Sequence, residues 1–434
     1  MKSYKMHAMK LWDKGYTTEN IVERYTVGND RVLDLKLAKY DVQGSIAHAK
    51  MLEKIGILSS EELKDLLQGL EEIQKTIDDG TFVIEESFED VHSKVEFELT
   101  RKIGEAGKKI HTARSRNDQI LVDLHLYAKD EIETIKQAVK QLFETLMLLS
   151  EKHQKVLIPG YTHMQVAMPS SFGLWFSAYA ESLVDDIIML NAAAGIADQN
   201  PLGSGAGYGT TFPIDRSYTT ELLGFKTMKY NVVAAQMSRG KLEKSIAYAM
   251  ASVSATLSKL AADVCLFMSP NFNFLGFPKE LTTGSSIMPH KQNPDVFELL
   301  RAKSNKIQNL PTEITLITNN LTSGYHRDYQ LLKESLMQSV EALKENLDVC
   351  DFMFQHVQIK ENILDKEIYD NLYSVEAANK LVMGGMTFRE AYKKIGNDIM
   401  EGNFKPDKNV QYTHEGSLGN LCLDKITEKF NENY

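Results

Sequence analysis

The chain has 434 residues, which is enough for about three domains of ordinary size. Hydrophobic residues make up 43% of it and charged residues 25%, a globular balance that excludes a disordered chain. The net charge of −10 disfavours non-specific binding to nucleic acid. Three cysteines and eleven histidines, without a CxxC or HxxxH pair, predict neither a disulfide framework nor a metal site.

Most of the predicted elements are helices, as the low proline content (10 of 434) favours. An amphipathic pattern with capping serines predicts the first helix at 61–77. Strand patterns are weak, and the best of them is at 81–84. Five long helices are then predicted: from Ile120 for more than 30 residues, from Pro169 to about Ala197, at 242–268, from Pro294 with a kink at Pro311, and at 328–354.

Helices of this length pack as an elongated bundle. The helix at 242–268 is apolar on nearly all its faces and has to be buried on every side. One bundle of this size does not supply partners for all those faces, so we predict an obligate oligomer. Past about residue 358 the helices shorten, which indicates a small C-terminal domain.

No targeting or membrane segment is predicted. The first twelve residues lack the apolar core of a signal peptide. The longest charge-free apolar helix pattern, 245–258, has 14 residues, fewer than the ~20 that cross a bilayer. We therefore expect a cytoplasmic protein with no membrane or nucleic-acid partner.

Common nucleotide and nucleophile motifs do not occur. There is no P-loop, and the glycine cluster at 203–209 fits neither GxGxxG nor a nucleophile elbow, because Leu202 stands where the elbow needs glycine. A flexible loop between two long helices is the favoured interpretation of this cluster. Four other polar segments, each at the end of a long apolar pattern, remain as candidates: 112–119, 160–165, 282–295 and 324–333.

The candidate at 282–295 has the composition of an anion site. A Gly-Ser-Ser loop and Lys291 precede a helix start at which Asn293 is the expected cap. Backbone N–H groups, a helix N-terminus and a lysine together suit a carboxylate or phosphate. A solvated loop with good capping is the alternative, and the residues alone leave both interpretations open.

The candidates at 112–119 and 160–165 contain an arginine pair and a histidine. Arg114 and Arg116 could hold a carboxylate, with Asn117 or Asp118 capping the longest helix. His163 could act as acid or base near neutral pH. Surface arginines and a structural histidine are the commoner outcomes for such residues taken singly. Four such segments in one bundle shift the balance towards a site.

Residues 284–294, GSSIMPHKQNP, resemble the signature GSSxMPxKxNP of the fumarase/aspartase superfamily. Residues 115–119 and 160–165, together with Tyr325, Gln330 and Lys333, resemble one branch of it, the argininosuccinate lyases. The resemblance runs from about Gly28 to the 384–396 stretch, nearly the whole chain. His290 and Gln292 depart from the residues expected beside Lys291, which bears on substrate fine-tuning more than on chemistry.

The resemblance implies an all-α, three-domain protomer with a central bundle of five long helices. The corresponding divisions are an N-terminal helical domain at 1–111, the bundle with the active-site loops at 112–358, and a small C-terminal helical domain at 359–434. It also implies a homotetramer whose active sites are each built by three subunits. The reaction it implies is the splitting of argininosuccinate into fumarate and arginine, in arginine biosynthesis and without a cofactor.

The resemblance also implies roles for individual residues. Ser285 is the catalytic base, His163 the active-site histidine and Glu298 its paired carboxylate. Lys291 and Asn293 hold the carboxylates of the fumarate-forming part, and Lys291 joins the catalytic set. The other substrate-binding positions are Thr26, Asp30, Ser115, Arg116, Asn117, Thr162, Arg239, Tyr325, Gln330 and Lys333.

Removing a proton from a carbon beside a carboxylate requires stabilisation of the charge that develops there. Lys291, Asn293 and loop N–H groups are suited to this. His163 would either protonate the leaving nitrogen or position the substrate. The alternatives are another fumarate-releasing lyase of the superfamily (adenylosuccinate lyase, fumarase or aspartase) and a catalytically silent structural homologue.

Overall fold

The computed structural model describes residues 20–434 of the chain, and nearly all of their regular structure is helical. The helices in the first third are α1 (Asn20–Val27), α2 (Asp30–Asp34), α3 (Ala38–Lys54), α4 (Ser60–Asp78), α5 (Val91–Ile103), α6 (Glu105–Lys108) and α7 (Arg116–Lys152). The later helices are α8 (Phe172–Ala197), α9 (Arg216–Leu222), α10 (Val232–Gln236), α11 (Lys241–Met268), α12 (Asp295–Gln308), α13 (Leu310–Thr318), α14 (Leu332–Gln355), α15 (Ser374–Met383), α16 (Phe388–Met400) and α17 (Leu423–Asn433). The predicted all-α class is confirmed.

The long helices lie close to where the apolar periodicity placed them. α7, α8, α11 and α14 begin and end within a few residues of the predicted bounds, apart from the earlier start of α7 at Arg116. The kink expected at Pro311 is a complete break between α12 and α13, with the proline at the first turn of α13. Proline is tolerated there because its missing N–H would have no intrahelical partner.

The strands differ from the prediction. β1 (Leu157–Thr162) and β2 (Gln165–Ser171) form an antiparallel hairpin. The other described pairs have two residues per strand: β3 (Gln199–Asn200) with β4 (Thr227–Met228), and β5 (Leu275–Gly276) with β6 (Gln358–Ile359). The strand predicted at 81–84 is wrong, because this segment has no regular secondary structure and pairs with no other strand. Phe82 and Ile84 pack instead against the N-terminal hydrophobic core, which accounts for their alternation.

The chain divides into two compact units. The first unit consists of the residues up to Thr134, Leu190–Ala251 and Gln308–Glu341, and the second of Ile135–Met189, Ser252–Ile307 and Ala342–Tyr434. Each long helix except α13 therefore contributes residues to both units. The three predicted domains are each continuous in sequence, whereas each of these units consists of several segments. The three-domain division remains a prediction.

Each unit has its own hydrophobic core. In the first unit, α3, α4 and α5 bury residues such as Leu52, Leu66 and Leu99. A capping box between Ser59 and Glu62 begins α4, as the serine pattern predicts. In the second unit, aromatic rings pack together, including Trp175, Phe176, Phe267 and Phe354. A separate small cluster joins α15 and α16 around Ala378, Ala391 and Ile395.

α11 is long and apolar enough to cross a membrane by length and composition, unlike the 14-residue stretch expected inside it. Half of its most apolar 18-residue window is buried within the chain, and a core helix passes the same test. Among the described residues no other helix does so. The other half of that window is not fully buried by this chain, which bears on the oligomer considered below.

Candidate active site

A solvent-open cavity of about 130 Å³ lies in the first unit. It brings together seven of the predicted substrate-binding residues from segments as far apart as α2 and α14: Asp30, Arg116, Asn117, Arg239, Tyr325, Gln330 and Lys333. Its other lining residues are Asp34, Glu89, Asp90, His92, Ile120 and Arg327. All of them belong to the first unit.

A buried lysine sits between two carboxylates on one wall of the cavity. Nζ of Lys333 lies 2.7 Å from Oδ1 of Asp30 and 2.6 Å from Oδ1 of Asp34. Burial opposes the charged form of Lys333, but Asp34 and Asp30 outweigh it and raise its pKa. Burial raises the pKa of Asp30 to about 6, against the opposing charge of Lys333. Two carboxylates with one ammonium leave an excess of negative charge that suits a cationic group.

Arg116 is held by the segment that begins α5. Its NH1 atom lies 3.0 Å from Oε2 of Glu89 and 3.1 Å from Oδ2 of Asp90, and NH2 donates to Oγ of Ser93 at 2.7 Å. Burial would raise the pKa of Asp90, but His92 and Arg116 hold it below its usual value. The guanidinium therefore has a fixed orientation, which a bidentate carboxylate ligand requires.

Thr26 lies beside the cavity and is tied to it through its backbone. Its carbonyl accepts from NH2 of Arg327 at 2.7 Å and from Nε2 of Gln330 at 2.8 Å. The hydroxyl of Thr26 donates to the carbonyl of Val22 within α1. For the Thr26 hydroxyl to bind substrate, it would have to give up its hydrogen bond to the Val22 carbonyl. The predicted role of Thr26 therefore remains a prediction.

Arg239 is almost fully buried, with Nε 3.0 Å from Oε1 of Glu243 and NH2 donating to the carbonyl of Tyr329 at 2.7 Å. Glu243 also accepts from the N–H of Gly240 at 2.7 Å. These bonds orient Arg239 as one wall of the cavity, beside Tyr325. Its role in substrate binding remains a prediction.

The cap of α7 differs from the prediction. Neither Asn117 nor Asp118 occupies the N-cap position: the N–H of Asn117 donates to Oγ of Ser115 at 3.2 Å, and the N–H of Ser115 donates to Asp118 at 2.8 Å. Ser115 is the cap because its hydroxyl satisfies a free N–H of the first turn. Asn117 is thereby left to line the cavity.

The glycine cluster at 203–209 is packed rather than a solvated linker, which corrects the favoured interpretation. The N–H groups of Gly203 and Gly205 donate to Oδ2 of Asp118 at 3.1 and 2.9 Å. Gly205 has a φ of +59°, a backbone conformation that residues other than glycine rarely adopt. The loop thus folds around a buried carboxylate at the base of the cavity-lining turn of α7.

One group of described residues, Asp41, His92 and Asp123, offers ligand atoms within 4.8 Å of one another. Nδ1 of His92 lies 2.6 Å from Oδ1 of Asp41, the separation of a hydrogen bond, and 3.9 Å from Oδ2 of Asp123. A proton between the first two atoms accounts for that distance. The arrangement is a buried ion pair, and it does not support a metal site.

His163 is exposed at the tip of the β1–β2 hairpin, in the second unit, directly after Thr162. His163 and Met164 form the two-residue turn with φ of +51° and +61°. Both central residues of this turn are left-handed, as in a type I′ hairpin, although neither is Gly or Asn. Strain of this kind is typical of functional positions, and the His163 side chain is exposed.

The Ser285 loop also lies in the second unit. Its two ends are joined where the N–H of Asn293 donates to the carbonyl of Thr283 at 2.8 Å. Oγ of Ser285 accepts from the N–H of Met288 at 3.1 Å and from that of Ile287 at 3.4 Å. Two backbone donors at this oxygen would favour its negatively charged form.

The cap predicted for α12 is wrong in detail. The amide of Asn293 donates to the carbonyl of Gly284 at 3.2 Å instead of accepting from the first turn of the helix. Asn293 therefore closes the loop. Lys291 is exposed, and among the described residues no carboxylate pairs with it.

Glu298 and His163 are both exposed, and no ion pair or hydrogen bond joins them in the described part of this chain. Their predicted pairing remains a prediction.

Sequence reasoning missed the segment Glu89 to Ser93, which contributes three cavity residues and holds Arg116. The available signal in the sequence was a group of polar residues at the start of an amphipathic helix: two adjacent acids, a histidine and a serine. It also missed Asp34 and Arg327, which lie close in sequence to predicted residues.

Comparison with known proteins identifies the family of the chain. The profile of a family described as "Lyase" matches residues 16–309. The argininosuccinate lyase of Parabacteroides distasonis is 56% identical over 97% of this chain and 94% of that protein. The one of Bacteroides thetaiotaomicron is 55% identical with the same coverage.

A solved structure of EDDS lyase in complex with formate superposes with a TM-score of 0.79, covering 96% of this chain and 91% of that one. At 20% identity this similarity shows a shared fold alone. The fold, the family profile and the relatives agree, and the chain belongs to the lyase family, in the argininosuccinate lyase branch of the fumarase/aspartase superfamily.

Proposed function

We propose that the chain cleaves argininosuccinate into fumarate and arginine by β-elimination, as a step of arginine biosynthesis. One observation carries the proposal: a single cavity collects seven separately predicted substrate-binding residues from segments some 300 positions apart in the sequence. The relatives at 55–56% identity, whose name gives the same activity, support the choice of substrate.

The charges of the cavity suit this substrate. The excess negative charge at Asp30 and Asp34 is suited to the cationic arginine part, in agreement with the role that the resemblance gives to Asp30. Arg116 and Arg239, held by partners on one side, are suited to carboxylates. A site with both signs of charge discriminates against substrates that lack either end.

In the proposed reaction, a base removes a proton from the succinyl carbon next to a carboxylate. The carbon–nitrogen bond then breaks, a double bond forms to give fumarate, and the electron pair stays on the guanidino nitrogen, which takes up a proton. We propose Ser285 as the base, since two backbone N–H groups already donate to its Oγ. Lys291 on the same loop would stabilise the charge on the substrate carboxylate.

The proton for the leaving nitrogen comes, in this proposal, from His163 or from a group that His163 positions. The hairpin tip is exposed, so the imidazole is accessible to a ligand. Glu298 would orient it and raise its basicity once the two are paired. No cofactor is needed, because the chain itself offers a base, an acid and cationic groups.

We further propose a homotetramer with active sites shared between subunits. Every residue that lines the cavity belongs to the first unit, whereas Ser285, Lys291 and His163 belong to the second. α11 is buried over only half of its most apolar window, and exposed apolar residues occur on other helices, such as Leu148 of α7 at 68% and Leu316 of α13 at 68%. Neighbouring subunits that cover these surfaces would account for both observations.

The location of the protein in the cytoplasm is likewise a proposal. It rests on the acidic charge and on the absence of a recognised targeting pattern in the sequence given. Nucleic acid and membranes are not proposed as partners, because the charges that line the cavity suit a small charged molecule.

The test is to follow fumarate formation by its ultraviolet absorbance with argininosuccinate, adenylosuccinate, malate and aspartate as separate substrates. We expect turnover of argininosuccinate alone. Ser285→Ala should lower kcat at least about 100-fold with little change in substrate binding, whereas the neighbouring Ser286→Ala serves as a matched control. Preference for another substrate would support a sibling lyase, and no turnover of any would support a silent homologue.

A further inference from the structure

His92 is a cavity residue to which neither the sequence motifs nor the proposed mechanism gives a role. It lies in the first turn of α5, it is 6% exposed, and it lines the same cavity as Asp30 and Arg116. Its Nδ1 atom is engaged by Asp41 at 2.6 Å. No described residue bonds to the other ring nitrogen, Nε2, which leaves that atom for a ligand in the cavity.

The groups around His92 keep its ring charged. Burial opposes the charge, but Asp41, Asp90 and Asp123 outweigh it and raise the pKa of His92 to about 9. Asp41 comes from α3, Asp90 precedes α5, and Asp123 comes from α7. The doubly protonated ring has two N–H donors and no acceptor. At neutral pH its free Nε2–H is therefore a fixed cationic donor.

Other charged groups near the ring do not replace this donor. Arg116, on α7, is bonded to Glu89, Asp90 and Ser93 through NH1 and NH2, and only its remaining N–H groups serve the carboxylate proposed above. Burial and the neighbouring arginines lower the pKa of His111 to about 4, so this histidine is neutral. Arg114 donates to Oγ of Ser45, on α3.

We propose that His92 is a further substrate-binding residue, which donates Nε2–H to a carboxylate of the ligand while Asp41 holds its Nδ1–H. The inference rests on the proposed function, since it needs a carboxylate ligand in this cavity. The arginine part and the fumarate part both carry such a group. The chemistry at His92 is the same in either case, and the test separates the two sources.

The test uses His92→Gln, with His48→Gln as the matched control. His48 is a buried histidine of α3 in the same unit, bonded to the carbonyl of Thr112, and it does not line the cavity. The inhibition constants of arginine and of fumarate are measured separately against argininosuccinate. Loss of a hydrogen bond to a charged group should raise the inhibition constant of one of the two ligands by about 10-fold or more.

Each result has one meaning. Weaker inhibition by arginine alone in the His92 variant assigns its carboxylate to His92, and weaker inhibition by fumarate alone assigns the succinyl carboxylate. Unchanged constants overturn the inference. Equal weakening of both ligands, or the same weakening in the His48 control, indicates a structural role and also overturns it. If the wild type does not cleave argininosuccinate at all, the proposed function fails first, which is a distinct result.

A second variant tests the charge of His92 without touching the ligand and decides the matter if His92→Gln does not fold. In the wild type, binding of the affected ligand should weaken as the pH rises through about 9, where His92 loses its proton. Asp41→Asn removes the main opposite charge, so the same change should occur at lower pH. The ionisation of the ligand itself is the same in both experiments, so a difference between the two pH profiles comes from the enzyme. An identical pH dependence in both contradicts the proposal.

Discussion

Lys333 is the residue whose removal should disturb the cavity most. It is the only cation within hydrogen-bond distance of both Asp30 and Asp34 among the described residues, and its side chain is 6% exposed. Replacing it by methionine keeps most of the volume and removes the charge. Two carboxylates then remain in a poorly solvated wall of the cavity without their counter-charge.

The magnitude follows from burial. Breaking a buried ion pair by removing one partner costs roughly 3–5 kcal/mol, because the remaining charge is uncompensated. We expect Lys333→Met to lower the free energy of unfolding by about that amount at pH 7.5. The loss should be smaller at pH 5, since burial already raises the pKa of Asp30 to about 6 and its protonation relieves the repulsion.

The assay is urea unfolding followed by circular dichroism at fixed protein concentration. Adding Asp34→Asn to Lys333→Met should recover roughly 1.5 kcal/mol or more, since the two residues interact directly. Lys36→Met is the control: Lys36 lies 3.2 Å from Glu341, with side chains 41% and 50% exposed. An exposed pair of this kind contributes at most about 1 kcal/mol.

Two results would refute the reasoning. One is a loss for Lys333→Met no larger than that for Lys36→Met. The other is strict additivity of Lys333→Met and Asp34→Asn, which would mean that the charges do not interact across the 2.6 Å contact.

The remaining predictions concern the chemistry and the hairpin. Lys291→Met should lower kcat about 100-fold and also raise KM, with Lys306→Met on the exposed face of α12 as control; unchanged kinetics would remove Lys291 from the anion site. Burial raises the pKa of Asp30 to about 6, so kcat/KM should fall as the pH drops below 6 and the carboxylate becomes neutral. Asp30→Asn should abolish this decrease, and a variant that keeps the same decrease at low pH would contradict the prediction. Met164→Gly should raise the free energy of unfolding by up to about 1 kcal/mol in thermal unfolding, since glycine adopts the φ of +61° without strain, and a lowered stability would argue against strain at this turn.

The long helices were predictable because their signal is local. Apolar residues at three- and four-residue spacing predict α7, α8, α11 and α14 wherever the helices later pack, and the capping pattern places the start of α4. The break before α13 follows from one residue, Pro311, whose ring removes a hydrogen bond. The hairpin at 157–171 had no such signal, since its turn residues are His163 and Met164 rather than the Asn-Gly that this geometry favours.

The candidate site was predictable in part. The resemblance named seven of the cavity residues, but it did not indicate the segment from Glu89 to Ser93, whose acids hold Arg116. Nor did it indicate that Ser115 caps α7, since the choice between neighbouring polar residues depends on backbone conformation at the helix start. These outcomes arise from hydrogen bonds that close only in the folded chain.

By itself, the sequence determined the helical class, the bounds of the long helices and the family to which the chain belongs, because periodicity and motif are properties of neighbouring residues. Only the tertiary structure decided which charges meet. It places Lys333 between Asp30 and Asp34, 303 and 299 positions away in the chain, and it buries His92 beside Asp41. Burial and opposite charge then set the ionisation of these groups, and neither quantity can be read from positions so far apart in the chain.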